Sequence, residues 1–175
     1  MNQVQAAHMA RVRHLREAFA SANERLVARL RGATDEAAER HVPNGWSAAQ
    51  IGWHVATVST RFAAMIAGDV GGPQPLPESF AERPWEDIAR SMPERIQASP
   101  ASQPPPAVRR TDAVAALEAS GTKMARAFDA LTLERGRMGI AHSLVGTIST
   151  YQLAEWATAH IARHNKQAKR ILGEA

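Results

Sequence analysis

STYQLAEWATAHIARHNKQAKRILG, residues 149–173, carries a start, a periodic apolar face and a stop in one run. Ser149 is an apt N-cap, and Gln152 three residues later completes the capping-box pattern. Leu153, Trp156, Ala157, His160, His164, Ala168 and Ile171 then recur at helical spacing, so one face of the segment turns inward. Gly173 ends it. Lys166, Lys169 and Arg170 fall in its last turns, where cations oppose the helix dipole favourably.

Three more segments share this grammar. In the first, Val4, His8, Val12, Leu15, Phe19, Ala22, Leu26 and Leu30 form the inward stripe, and Gly32 is the natural stop. The second follows ProAsnGlyTrpSer (43–47), with Ser47 as N-cap and Gln50 at the box position. Its stripe is Ile51, Val55, Val58, Phe62, Met65 and Ile66, ending near Gly68. The third opens at Thr111 or Asp112 and continues through Val114, Leu117, Gly121, Met124, Phe128 and Leu131. Nine of the ten prolines lie between Pro73 and Pro106, which makes this stretch a crossover rather than a helix. Within it, ProTrpGluAspIleAlaArg (84–90) has the pattern of a short helix with Pro84 in the first turn. Residues 132–148, with Gly136, Gly139 and Gly146, read as a second irregular connection, and no alternation is long enough to imply a sheet. The expected fold is all-α: a single four-helix bundle domain over residues 1–175, with a long Pro-rich crossover (69–108) between the second and third helices.

Composition narrows the function classes. The chain has 175 residues and no cysteine, which excludes a disulfide scaffold, a thiolate metal site and a cysteine nucleophile. Alanine supplies 35 residues and the aromatic residues only 9, a balance that favours helix over strand. The net charge of +4 comes from 21 cations, 18 of them Arg, against 17 acids. Acids are interleaved with arginines along the first and third helices, which argues against a nucleic-acid partner. No run of 18 apolar residues provides a membrane span, and the charged start (ArgValArgHisLeuArg, 11–16) lacks the apolar block of a signal peptide, so the expectation is a cytoplasmic protein.

The candidate site residues are histidines. His160 and His164 are one turn apart on the fourth helix, about 40° around its axis, so both imidazoles reach one point. This is a spacing by which a helix offers two nitrogens to a metal. His54 lies among Ile51, Val55 and Val58 on the inward stripe of the second helix. Two readings follow: three hydrogen-bonded core histidines, or one metal site that satisfies three buried nitrogens at once.

The stretch TrpSerAlaAlaGlnIleGlyTrpHis (46–54) resembles the Trp-Ser-x-x-Gln/Glu-apolar-x-x-His entry to the second helix of the DinB-like (YfiT-like) four-helix bundle family. HisIleAlaArgHisAsnLysGln (160–167) resembles that family's final-helix His-x-x-x-His-x-x-Gln. HisSerLeuValGly (142–146) resembles its His-Pro-x-x-Gly approach, with Ser143 where proline is common. The resemblance implies a divalent metal, zinc or nickel, held by His54, His160 and His164. It implies a small-molecule substrate and a homodimer as well. The family includes thiol S-transferases that use bacillithiol or mycothiol, a maleylpyruvate isomerase with a thiol cofactor, and proteins described as metal-dependent hydrolases. A low-molecular-weight thiol is therefore an expected co-substrate.

Three neutral imidazoles leave an open coordination position, the catalytic rather than the structural pattern. The rival expectation is a non-catalytic bundle in which the metal only joins helices. The helix reads HisIleAlaArgHis and not His-Glu-x-x-His, so it lacks the glutamate base of a metalloprotease. Glu155 is expected on the solvent side, while Asp69, Glu78 and Glu82 of the crossover are placed to fold over the site. Gln167, one turn beyond His164, reads either as a partner that orients it or as a surface amide. His8 is the least implausible extra ligand, Trp156 reads as core, Tyr151 is a weak candidate donor to a substrate, and Arg163 reads as part of a solvated face or as a charge for an anionic substrate.

Overall fold

The computed structural model describes residues 2–91, 97–142 and 145–174. Four long helices dominate it: α1 (Gln3–Gly32), α3 (Ala48–Ala67), α5 (Arg110–Asp129) and α7 (Thr150–Leu172). Short helices α2 (Asp35–Glu39), α4 (Trp85–Ser91) and α6 (Leu133–Gly136) lie between them.

The expected boundaries hold where the chain supplies its own caps. Ser47 and Gln50 close a full capping box at α3, as Ser149 and Gln152 do at α7. Gly68 and Gly173 end the same helices in left-handed conformation, at φ 82° and 71°. Helix α5 differs. It begins at Arg110, before the expected Thr111 or Asp112, with no side-chain cap from its N-cap residue Arg109. Its first amide is satisfied instead from a distance: Arg110 N–H donates to Glu39 Oε1 of α2 at 2.8 Å, and Arg110 Nε donates to Asp35 at 2.5 Å.

Packing follows the apolar stripes. Helix α1 packs on α5 and α7, and α3 packs on the same two from the other side. Leu26, Leu30, Ile51, Val55, Leu117, Met124, Leu153 and Ile161 are closed off from solvent between them. The α3–α5 seam is the tightest. A Cβ on Gly52 would lie 3.3 Å from Ala113 Cβ and 2.6 Å from Leu30 Cδ1, so the absent side chain is what lets the helices meet.

The all-helical expectation needs one correction. Two strands, β2 (Met138–His142) and β3 (Gly146–Ser149), pair antiparallel, with Ile140 opposite Ile148 and His142 opposite Gly146. A two-residue strand from the crossover, β1 (Gln74–Pro75), adds to β2, giving the order β1-β2-β3. Only Ile140 and Ile148 point one apolar side chain per main strand into the core, too little alternation to stand out in a sequence. Pro75, which has no N–H to donate, sits in the edge strand, where that loss is tolerated. His142, expected in a loop, ends β2, and Ser143 of the quoted motif lies outside the described residues.

The crossover itself is anchored. Helix α4 forms as expected, although Pro84 precedes it and accepts from Asp87 N at 3.0 Å instead of lying in its first turn. Ile88 of α4 is wholly buried, and Pro100–Ser102 form a single 3-10 turn. Gln152 Nε2 donates to the Arg83 carbonyl at 2.8 Å, Ser149 Oγ donates to Glu82, and Arg11 pairs with Glu82 at 2.8 Å.

Gly136 shows how closely these parts fit. A Cβ there would lie 2.1 Å from Tyr151 Cζ. The ring has no freedom to retreat, because its hydroxyl shares a 2.7 Å hydrogen bond with buried His8 and the Arg11 guanidinium lies 4.2 Å from its centroid. Gly136→Ala is expected to destabilise the protein by about 1–3 kcal/mol through overpacking, despite the better helix propensity of alanine. A urea denaturation curve checks this, and a stability equal to the parent's would refute the fit described.

Candidate metal centre

His54 occupies the second turn of α3, and His160 and His164 the middle of α7, where the two helices pack together. The structure brings all three to one point: each offers a ring nitrogen, and these atoms lie within 4.8 Å of one another. Ring centroids are 5.2 Å apart for His54–His160, 4.8 Å for His54–His164 and 4.5 Å for His160–His164. His54 is buried and the other two are half-buried.

Hydrogen bonds decide which nitrogens are available. His54 Nδ1–H donates to the Ser102 carbonyl at 2.7 Å, and His164 Nδ1–H donates to Gln167 Oε1 at 2.9 Å. Since both acceptors lack a proton, each ring keeps its hydrogen on Nδ1 and carries a bare lone pair on Nε2. His160 Nε2 lies 3.3 Å from His54 Nε2, and His160 Nδ1 is buried with no hydrogen-bond partner among the described residues. Without a cation, His160 can donate Nε2–H to His54 only by leaving its own Nδ1 lone pair bare in the interior. With its proton on Nδ1, three Nε2 lone pairs face one another. Either state is poorly satisfied, and a divalent ion is the species that turns the second one into three favourable bonds. The donor set therefore fits a divalent transition-metal ion, a class of ion that imidazole suits.

Electrostatics keeps the ligands neutral. Burial lowers the pKa of all three rings; His160 lies well below the usual histidine range, and His164 falls to about 4. For His160 and His164 the neighbouring imidazoles add repulsion, and Arg163, next to His164 in the chain, adds a further positive charge. Among the described residues no carboxylate joins the group to reverse this.

The other candidates are placed as follows. Of the two readings of Gln167, the structure favours the partner of His164. The crossover acids do not fold over the site: Glu82 bonds Ser149 and Arg11, and Asp69 and Glu78 are exposed. Glu155 is half-buried against Arg11 at 3.0 Å and not turned to solvent. His8 is committed to Tyr151 and so is no extra ligand. Trp156 is core, with Trp85 of α4 edge-on to it at 6.4 Å.

Sequence reasoning missed Trp46, whose ring lies 4.8 Å from that of His54, and Phe62, set edge-on to His160 at 6.3 Å. Trp46 holds the position before an N-cap, from which an apolar side chain folds back over the first turns. Phe62 is two turns beyond His54 on the stripe already read. The Ser102 carbonyl had no readable signal, because a backbone acceptor carries none.

The sequence matches the DinB superfamily over residues 18–168, and the chain belongs to that superfamily. No curated protein sequence matches it with significance.

The depressed pKa values set a sign for stability. Unfolded histidines take up protons near the ordinary value of 6.5, while folded His164 waits until about 4. Between these limits the unfolded state binds more protons, so the contribution to stability is complete above pH 6.5 and is lost as the pH falls towards 4. Metal-free protein should therefore lose thermal stability between pH 7 and pH 5, and His164→Gln should flatten that slope. Equal slopes for the two proteins would contradict the burial of a neutral His164.

Proposed function

We propose that this chain is a DinB-like four-helix bundle that binds zinc or nickel through His54, His160 and His164 and acts as a metal-dependent enzyme on a small molecule. The observation that supports it is the meeting of three imidazoles whose nitrogens converge, two of them with Nδ1–H held outward by Ser102 and Gln167.

Three protein ligands leave a coordination position for a substrate. A divalent ion held there lowers the pKa of a coordinated thiol or water. The chain's own residues fix the imidazole tautomers, exclude carboxylate charge from the group and flank it with Trp46 and Phe62. None of the three imidazoles has a free role as general base. A thiol begins near pKa 8.5 and water far higher, so the thiol needs a much smaller shift to ionise at neutral pH. That difference favours transfer of a low-molecular-weight thiol to an electrophile, and hydrolysis at the same open position is the second reading.

Elemental analysis of the purified protein, after reconstitution with zinc or nickel, tests the foundation. About one equivalent per chain is expected in the parent, and a His160→Ala, His164→Ala variant is expected to lose it. Comparable, low metal content in both would leave three core histidines and end the enzyme reading. For the reaction, the loaded protein should consume bacillithiol, mycothiol or glutathione in the presence of an alkylating electrophile faster than the double variant does. No metal-dependent consumption of any of them would remove the transferase reading in favour of hydrolysis or a purely structural ion.

A further inference from the structure

Among the described residues of the crossover, Ser102 reaches the histidine group, its carbonyl accepting from His54. We propose that Gln50 is a positioning residue for the metal centre, tethering the proline strut 103–106 to α3 so that Ser102 pins the tautomer of His54. The inference rests on the metal reading above and concerns how this chain prepares the site.

Gln50 uses both ends of its amide. Its Oε1 accepts from Ser47 N–H at 2.9 Å, closing the capping box. Its Nε2 donates to the Pro105 carbonyl at 2.8 Å and to the Pro106 carbonyl at 3.1 Å. His54 follows one turn later, about 40° around α3 from Gln50, so both residues look towards the same stretch of crossover. The two fastened points, Ser102 and Pro105, are three residues apart.

The chain between them is stiff. Gln103 is extended at φ −70°, ψ 130°, and Pro104, Pro105 and Pro106 follow it. Prolines have fixed φ and no N–H, so this strut makes no ladder of its own and offers only carbonyls to a partner. Holding two of those carbonyls fixes the strut. On the other side of Ser102 the 3-10 turn is already closed, with Ser102 N–H to the Ser99 carbonyl at 2.8 Å and the Ser99 and Ser102 hydroxyls 3.0 Å apart. Ser102 is thus preformed by its own turn and aimed by the tether.

The consequence reaches the ligand atom. With the Ser102 carbonyl in place, the proton of His54 stays on Nδ1 and the Nε2 lone pair stays turned towards His160 and His164. Losing that acceptor frees the ring to carry its proton on Nε2 instead, the atom the metal requires bare. By linkage, anything that binds His54 Nε2 favours the docked strut, so metal loading also tightens the turn at 99–103.

A capping-box glutamate separates the two jobs of Gln50. Gln50→Glu keeps an oxygen for Ser47 N–H but places an anion against two carbonyls, where a donor is needed. Gln152 supplies a matched control: it also closes a capping box, and its Nε2 donates to the Arg83 carbonyl at 2.8 Å, away from the histidines. The zinc dissociation constant, read by competition with a chromophoric chelator, is expected to weaken about 10- to 100-fold in Gln50→Glu and to stay near the parent value in Gln152→Glu. Hydrogen exchange of peptide 97–103 should be faster in metal-free Gln50→Glu than in the parent, with helix content unchanged by circular dichroism. Equal weakening in both variants, or none in Gln50→Glu, would overturn the proposal. Should Gln50→Glu not fold, exchange of the same peptide in the parent decides: slowing on zinc loading supports the coupling, and unchanged exchange in a zinc-bound protein overturns it. A parent that takes up no zinc would instead refute the metal reading, while exchange in the metal-free proteins still tests the tether.

Discussion

Three imidazoles packed against one another at the α3–α7 seam are the constraint around which the other parts are arranged. Charged, they would repel each other in a poorly solvated place; neutral, they still carry six ring nitrogens that need partners. The chain answers by fixing two Nδ1–H groups outward, one on the Ser102 carbonyl and one on Gln167. What remains is a set of lone pairs with a single buried nitrogen, His160 Nδ1, left without a partner among the described residues. A core built only for stability gains little from such a set, since three apolar side chains of the same size would cost less to bury. The arrangement makes physical sense as a receptor for a cation.

That set can persist only if the helices bearing it start in fixed places. Here the two capping boxes do more than begin helices. Gln50 at the start of α3 and Gln152 at the start of α7 each spend one amide atom on the cap and the other on a crossover carbonyl. The crossover is thus held by the same two turns that position the histidine-bearing helices. Ile88 and Trp85 add an apolar attachment between these points.

The helices were legible because their signals are local. Ser47 with Gln50, Ser149 with Gln152, and the stops at Gly68 and Gly173 all lie within four residues of what they control. The histidine group was legible for the same reason: a helix places i and i+4 together, and His54 shared a stripe with known core positions. The features that escaped are settled by residues far apart in sequence. Helix α5 starts early because Glu39 satisfies Arg110 N–H across 71 positions. Strands β2 and β3 each turn one large apolar side chain inward, Ile140 and Ile148, and β1 joins them from more than 60 residues away through a two-residue pairing. Glu155 looked solvent-facing by helix geometry, and only the position of Arg11 on α1 shows why it is half-buried.

Arg11 also explains where the acids went. It bridges Glu82 and Glu155, while Glu82 takes the Ser149 hydroxyl, so two carboxylates near the start of α7 are used up before the helix reaches His160. A carboxylate within about 4–6 Å of the histidines would favour their charged forms and set protons in competition with a metal. Concentrating negative charge at one end of α7 and neutral imidazoles in its middle separates two chemistries on one helix. The ionic end locks the crossover and α1 in place, and Arg163, with its positive charge beside His164, works in the same direction by keeping protons off the rings. The polar half of the structure and the candidate metal centre are therefore complementary: the first keeps its charges paired so that the second can remain uncharged.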